Sequence, residues 1–298
     1  MSKHILITGV NGMLGQNIVK EFMRDTQITG LDLTPSTYHH EDVRVIQQDL
    51  TDTDTLHDIL HEYKPDAIIH GAAYTNVDRA ESQQDLAFKV NSEVPARLAE
   101  FSAKLDTPLV HISTDYVFSG ENGPYSEEDA CDPRGIYSRS KYDGEVAVRR
   151  GCENHVILRP NVLYGHGYNL QSSFVDWLIS ELEEERPVRI VTDQFSNPTY
   201  ARRLAAVIRV LIEKEAWGTW HFGSQDVISR YDFAREIASV FGLRSDLINA
   251  ISTGDLNQAA PRPMKCGLIC DKIHEKLGVN ILSIREELRL LKEEMHVK

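Results

Sequence analysis

The chain has 298 residues, enough for one large α/β domain or two smaller ones with a real core. Charged residues make up 26% and the formal net charge is −13, which argues against a nucleic-acid partner and against an anionic membrane surface. An anionic ligand stays open, because local backbone dipoles can hold phosphate in an acidic protein. No apolar run reaches the length of a bilayer span, and the N-terminus enters "HILIT" without a signal-peptide pattern, so the expected location is cytoplasmic. Cys131, Cys152, Cys266 and Cys270 are too few for a disulfide scaffold at this length. The last two lack zinc or redox spacing, and all four are expected to be reduced thiols.

In chain order, "HILIT" (4–8) predicts a buried strand and 12–24 a helix with Leu14, Ile18, Val19 and Phe22 on one face. "ITGLDL" (28–33) and "VRVIQQDL" (43–50) predict two more strands, followed by a helix over about 53–63. "DAIIHGAA" (66–73) is a fourth strand, and a long helix over about 83–104 leads to the fifth, "PLVHIST" (108–114). A helix over about 137–150 precedes the sixth, "HVILRP" (155–160). Apolar strands alternating with helices predict an α/β fold, a doubly wound parallel Rossmann sheet. Beyond residue 160 the rhythm loosens, with "VRIVTD", "TWHFGS" and loops rich in Pro, Gly and Asn. The expected organisation is a dinucleotide-binding domain over 1–160 plus roughly 200–224. A smaller C-terminal α/β substrate lobe is expected over 161–199 and 225–298. The charge run "ELEEER" (181–186) predicts a solvated helix face.

Gly9, Gly12 and Gly15 follow a strand and open a helix, the context of a dinucleotide fingerprint, although the spacing is G-x-x-G-x-x-G. Glycines so spaced also make a plain tight turn. Asp32, at the end of the next strand and about 20 residues on, tips the reading toward a cofactor. A carboxylate there can accept the ribose hydroxyls and would repel a 2′-phosphate, which favours NAD(H), with NADP(H) the alternative. The cofactor's diphosphate would lie over the start of the 12–24 helix, where side chains at Gly9 or Gly12 would block its approach. Asp49 and Leu50 fall where an adenine would lie.

"YSRSK" puts Tyr137 and Lys141 on one helix face, and "STDYVFSG" puts Thr114 at the end of the fifth strand. A free phenol titrates near ~10, and a nearby ammonium is expected to draw that value down. Tyr137 could then exchange a proton with a carbonyl oxygen, Thr114 could hydrogen-bond that oxygen, and Lys141 could hold the nicotinamide ribose.

The segments "TGVNGMLG", "AAYTNVDRAES", "STDYVFSG", "YSRSK", "DQFSNPTYA" and "APRP" together resemble the extended short-chain dehydrogenase/reductases, in the dTDP-4-dehydrorhamnose reductase branch, over nearly the whole chain. The resemblance implies a Rossmann domain with a small sugar-nucleotide domain, and NAD(P)H reduction of the C4 ketone of a nucleotide-linked 6-deoxy sugar. It implies Thr114, Tyr137 and Lys141 as catalytic residues. It places Gly12, Met13, Leu14, Asp32, Asp49, Leu50, Ala72 and Ala73 at the cofactor, and Asp115 and Tyr116 beside the sugar. It sets Arg262 near the diphosphate, where a planar fork suits two phosphate oxygens; an Arg stiffening a proline turn is the plainer reading.

Two departures stand out. The branch often carries a Trp after the sixth strand, against the sugar nucleotide, where this chain has Val162 in "RPNVLYG". Some members carry a metal-associated Glu where this chain has Asn17, so no metal is expected. The expected partner is a nucleotide sugar, with a homodimer left open. A GDP- or UDP-linked keto sugar is the second reading. The third is a non-catalytic regulatory subunit, since the β subunit of methionine adenosyltransferase resembles the same branch and shares L-Y-G after the sixth strand. His57 and His61 are spaced for one helix face but lack a third ligand, and His39 and His40 are expected to be solvated.

Overall fold

Ile5 to Ile7, Ile68 and Ile69, Leu109 and Val110, and Val156 to Leu158 are all buried, as strands covered on both faces must be. In a computed structural model, which describes residues 3–35, 41–168, 170 and 173–296, they form the centre of one sheet. Its strands are β1 (Lys3–Thr8), β2 (Thr26–Asp32), β3 (Val43–Gln47), β4 (Ala67–His70), β5 (Leu109–Ile112), β6 (His155–Pro160) and β11 (Gly218–Phe222). The order is β11-β6-β5-β4-β1-β2-β3 and every pairing is parallel. The chain reverses its winding between β1 and β4, the switch point where doubly wound sheets bind ligands. "TWHFGS" thus supplies the seventh strand of this sheet.

Helices α1 (Met13–Phe22) and α8 (Ala201–Glu213) pack on one face. The other carries α2 (Thr53–Tyr63), α5 (Val94–Leu105) and α6 (Ile136–Gly151). The helix expected over 83–104 is interrupted: α4 (Gln84–Phe88) passes through a π-helical turn at Lys89–Glu93 before α5. Pro95 has no N–H to return to the Asn91 carbonyl, and Asn91 turns inward instead. Its side-chain amide accepts from Tyr74 N (2.8 Å) and donates to Tyr74 O and Ser140 Oγ (both 3.1 Å). A short helix, α3 (Val77–Ala80), follows β4.

A second core gathers Val175, Leu178, Ile190, Phe233, Ile237 and Leu288. They come from α7 (Phe174–Glu183), β8 (Val188–Val191), α9 (Arg230–Phe241) and α11 (Ile284–His296). β8 pairs with β13 (Ile248–Ile251). Two-residue ladders tie the connections: β7 (Leu163–Tyr164) with β10 (Thr199–Tyr200), and β9 (Phe195–Ser196) with β12 (Ile228–Ser229). Another short helix, α10 (Asp271–Leu277), lies against β11. The fold is therefore the α/β class the sequence predicts, a parallel Rossmann-like sheet with smaller C-terminal sheets. Arg186 pairs with Glu181 and Glu184 on an exposed turn after α7. Among the described residues no helix is long and apolar enough to cross a membrane.

Candidate active site

The three opening glycines do different jobs. Gly9 has φ 71°, which L side chains resist, and a Cβ there would lie 2.9 Å from Ala72 N. A Cβ at Gly15 would fall 2.2 Å from the Gly9 carbonyl oxygen. Both glycines let backbone pack on backbone, so a side chain at Gly9 would strike the β4 connection rather than a ligand. Gly12 is exposed, and a Cβ there would meet only Gly9 O, at 3.2 Å. It caps α1 without a side-chain hydrogen bond, so no cap claims the first N–H groups of the helix. That open cradle fits the diphosphate of a dinucleotide. Met13 is half-buried in the same turn, and the Leu14 side chain lies in the core.

Asp32 closes β2 as expected, but its carboxylate is engaged. It accepts from Asn11 N (3.0 Å), Thr34 N (3.0 Å) and Thr34 Oγ1 (2.9 Å), so it organises the loop beside the cradle. β3 ends at Gln47, short of the expected boundary. Asp49 is exposed and accepts from Thr51 N (2.9 Å), and Leu50 is buried against α2 and α5. Ala72 and Ala73 follow β4, half-buried, and Ala72 N donates to Thr8 Oγ1 (3.2 Å).

Thr114, Tyr137 and Lys141 come together at the carboxyl end of β5. Lys141 is 2% exposed and its Nζ donates to Ile112 O (2.7 Å). Burial lowers its pKa to about 8, while Glu145, one turn further along α6, works against that shift. Thr114 Oγ1 donates to Asp115 Oδ1 (3.1 Å) and accepts from Tyr116 N (3.2 Å). The Tyr137 ring meets Tyr116 edge-on at 5.8 Å. The expectation of a depressed phenol pKa is overturned. Burial pushes Tyr137 well above the ordinary value; the Thr114 hydroxyl opposes that shift, and Asp115 and Tyr116 reinforce it. The Lys141 ammonium is not among the groups that lower it. Tyr137 is a neutral phenol at physiological pH, the form that can give a proton.

Beneath these residues lies a charge network absent from the sequence reading. Glu145, fully buried, accepts from Arg159 Nε (2.8 Å) and Nη2 (2.7 Å), from Ser113 Oγ (2.5 Å) and from Arg149 (3.0 Å). Tyr137, Lys141, Glu145 and Arg149 are each four apart, one ladder along α6. That periodicity was the available signal.

Asp115 and Tyr116 continue the Thr114 segment, and the opposite wall comes from segments distant in sequence. Asp115 is 2% exposed, and burial raises its carboxyl to about 6. Burial likewise lifts the Tyr116 phenol to about 12. Val162 sits at φ 29°, a strained conformation for a β-branched residue, and its carbonyl accepts from Thr199 N (3.2 Å). Arg262 is committed within the protein: Nη2 donates to Asp78 Oδ2 (2.6 Å) and Nη1 to Ala260 O (3.0 Å). A further arginine, Arg230, lies near enough to Asp115, Tyr116 and Arg262 to feel their charges.

The family described as "RmlD substrate binding domain" matches residues 3–297. The chain belongs to that family, the dTDP-4-dehydrorhamnose reductase-like extended short-chain dehydrogenase/reductases. A solved dTDP-4-dehydrorhamnose reductase from Bacillus anthracis, in complex with NADP, is 31% identical with TM-score 0.90, covering 99% of this chain and 100% of that one. A probable low-salt glycan biosynthesis reductase of Haloferax volcanii is 33% identical, over 97% of each chain. Mouse methionine adenosyltransferase 2 subunit beta is 32% identical over 93% of this chain and 83% of its own length. RmlD-family relatives therefore include both reductases and a protein named as a subunit.

The remaining candidates lie elsewhere. The His57 and His61 rings meet at 4.3 Å, edge-on to each other and to Phe101, on the α2–α5 surface. His39 and His40 lie outside the described residues. Asn17 is buried, its amide donating to Met13 O (2.8 Å). Among the described residues no group of His, Cys, Asp and Glu is arranged to hold a metal ion. The four cysteines are unpaired thiols.

Proposed function

We propose that this protein is a nicotinamide-dependent 4-ketoreductase of a nucleotide-linked 6-deoxy sugar, with dTDP-4-dehydro-L-rhamnose as substrate and dTDP-L-rhamnose as product. The convergence of Thr114, Tyr137 and Lys141 on the same edge of the parallel sheet as the Gly12 cradle carries this reading. When bound, a nicotinamide dinucleotide supplies the hydride. The N–H groups at the start of α1 hold its diphosphate, and Lys141 reaches its ribose. Tyr137 donates its O–H proton to the substrate's carbonyl oxygen, a role its raised pKa suits in the direction of reduction. The Thr114 hydroxyl stabilises the charge growing on that oxygen. Asp115 and Tyr116 line the sugar side, with Val162 on the facing loop.

We favour NAD(H), because the Asp32 carboxylate repels a 2′-phosphate. The NADP-bound relative and the engagement of Asp32 with Asn11 and Thr34 support NADP(H) as the alternative. The ratio of kcat/KM for the two coenzymes decides between them.

The test follows coenzyme oxidation with dTDP-, GDP- and UDP-linked 4-keto sugars. Activity is expected with the dTDP sugar, and Tyr137→Phe should lower kcat by about 10²–10⁴-fold while coenzyme affinity stays level. Full activity in the variant refutes the mechanism. The identity with methionine adenosyltransferase 2 subunit beta supports a second reading, a non-catalytic subunit. Absence of turnover on all three sugars, with co-purification of a larger enzyme, would establish it.

A further inference from the structure

Arg230 is the first residue of α9, where the positive end of the helix dipole disfavours a cation. Its guanidinium stacks over Phe174 at 4.7 Å, and its backbone N donates to Gln194 O (2.9 Å). The side chain is partly buried and makes no hydrogen bond or salt bridge among the described residues. Desolvation depresses its pKa, and Arg262 adds like-charge repulsion. Among the described residues the acidic groups that act on it are the Tyr116 phenol, which is neutral, and the Asp115 carboxyl, which makes no salt bridge with it and bonds Thr114. A partly desolvated cation without a close counter-charge is costly, and a bound anion would offset that cost.

Arg262 contrasts with it at every point. Its fork is filled by Asp78 and the Ala260 carbonyl, and Asp78 also accepts from Ala260 N (3.0 Å). The pair fastens the 260–263 turn to α3. Arg262 therefore works as a latch, while Arg230 has its donors free.

Gln194, whose carbonyl accepts from Arg230 N, precedes Phe195, whose N donates to Met264 O (2.7 Å). Cys266 Sγ donates to Asp115 O (3.6 Å), so α9 starts against the segment that follows Arg262, and that segment touches Asp115. Asp115 is next to Tyr116, whose ring meets Tyr137 edge-on. In a pyranose, C1 stands across the ring from C4. A phosphate on C1 therefore lies one ring width from the carbonyl that Tyr137 addresses. We propose that Arg230 binds the diphosphate of the nucleotide-linked substrate, and that Arg262 acts on it only indirectly, by holding the turn. The inference rests on the substrate class proposed above, but its test does not need turnover.

Titration calorimetry with dTDP, UDP, GDP, inorganic pyrophosphate and thymidine compares the wild type with Arg230→Gln, Arg230→Lys and Asp78→Asn. Arg230→Gln should weaken the best-bound nucleoside diphosphate about tenfold or more, leaving thymidine within twofold. Arg230→Lys should fall between, because it keeps the charge and loses the planar fork. Asp78→Asn should cost less than threefold in diphosphate affinity and show itself as a lower Tm. Diphosphate affinity unchanged in Arg230→Gln, a larger loss in Asp78→Asn, or a wild type that binds none of the phosphorylated probes each overturns the proposal. Diphosphate binding lost in Arg230→Gln in a wild type that reduces no keto sugar would sustain this inference while refuting the proposed reaction.

Discussion

The two walls of the crevice are built by different means. The Rossmann wall is backbone: a glycine turn, an uncapped helix start and the carboxyl ends of parallel strands. The facing wall is side chains on short connections: Val162 after β6, Arg230 at a helix start and Arg262 in a proline turn. A backbone site tolerates many sequences, provided glycine stands where no Cβ fits. A side-chain site changes with each substitution, so substrate choice can drift while the coenzyme cradle stays put.

The largest effect is expected at the floor common to both walls. Glu145 links α6, which carries Tyr137 and Lys141, to Arg159 on β6, whose chain continues to Val162. Glu145→Gln keeps the shape but leaves Arg159 buried without its counter-charge. Removing one member of a buried pair costs about 3–5 kcal/mol. Urea unfolding should report a loss of that order, and both coenzyme and diphosphate binding should weaken. A loss below about 1 kcal/mol would mean the walls rest on apolar packing alone.

Next come two substitutions within the backbone wall. Gly15→Ala drives a methyl into the Gly9 carbonyl, so the turn must open, at a cost of about 1–3 kcal/mol or more in stability. Gly12→Ala meets one oxygen at 3.2 Å and should leave Tm almost unchanged, while coenzyme affinity falls because the methyl enters the cradle. Equal stability losses in the two would erase the distinction between packing and ligand-facing glycines.

The same contrast explains what the sequence made legible. Alternating apolar strands and helices predicted the sheet, and glycine spacing with Tyr137, Lys141 and Thr114 predicted one crevice, because local pattern and backbone geometry determine both. The engagement of Arg262 by Asp78 spans 184 positions, and no local spacing carries it. Arg230 was hidden for the same reason: in sequence it is one more charge opening an amphipathic helix. The direction of the Tyr137 shift was missed because burial, invisible in a motif, outweighs a charge that turns toward Ile112. Pro95 was the available signal for the π-helical turn, which the expectation of one helix over 83–104 passed over, and only the inward amide of Asn91 shows what the turn is for.

A last effect separates the walls by pH. His70 and His111, at the ends of β4 and β5, stack at 5.3 Å beside Lys141. His70 Nδ1 bonds Thr8 Oγ1 (2.7 Å), while its Nε2 and both His111 nitrogens lack partners among the described residues. Burial, with help from the Lys141 ammonium, lowers the His70 pKa to about 3, against about 6.5 in an unfolded chain. Below about pH 6.5 the unfolded chain takes up this proton and the folded one does not. The stability is therefore complete above that pH and lost as pH falls toward 3, at about 1.4 kcal/mol per pH unit for the one group. Asp115 and Glu287 lean the other way, raised to about 6 and about 7, because the folded state keeps protons the unfolded state has released. They are common to wild type and variant and cancel in the comparison. His70→Asn can keep the bond to Thr8 and cannot take a proton. Its stability, followed by urea unfolding from pH 6 to pH 4, should fall less steeply than the wild type's. Parallel slopes would show that the imidazole titrates alike in both states, and would move the acid sensitivity away from the strand ends that form the backbone wall.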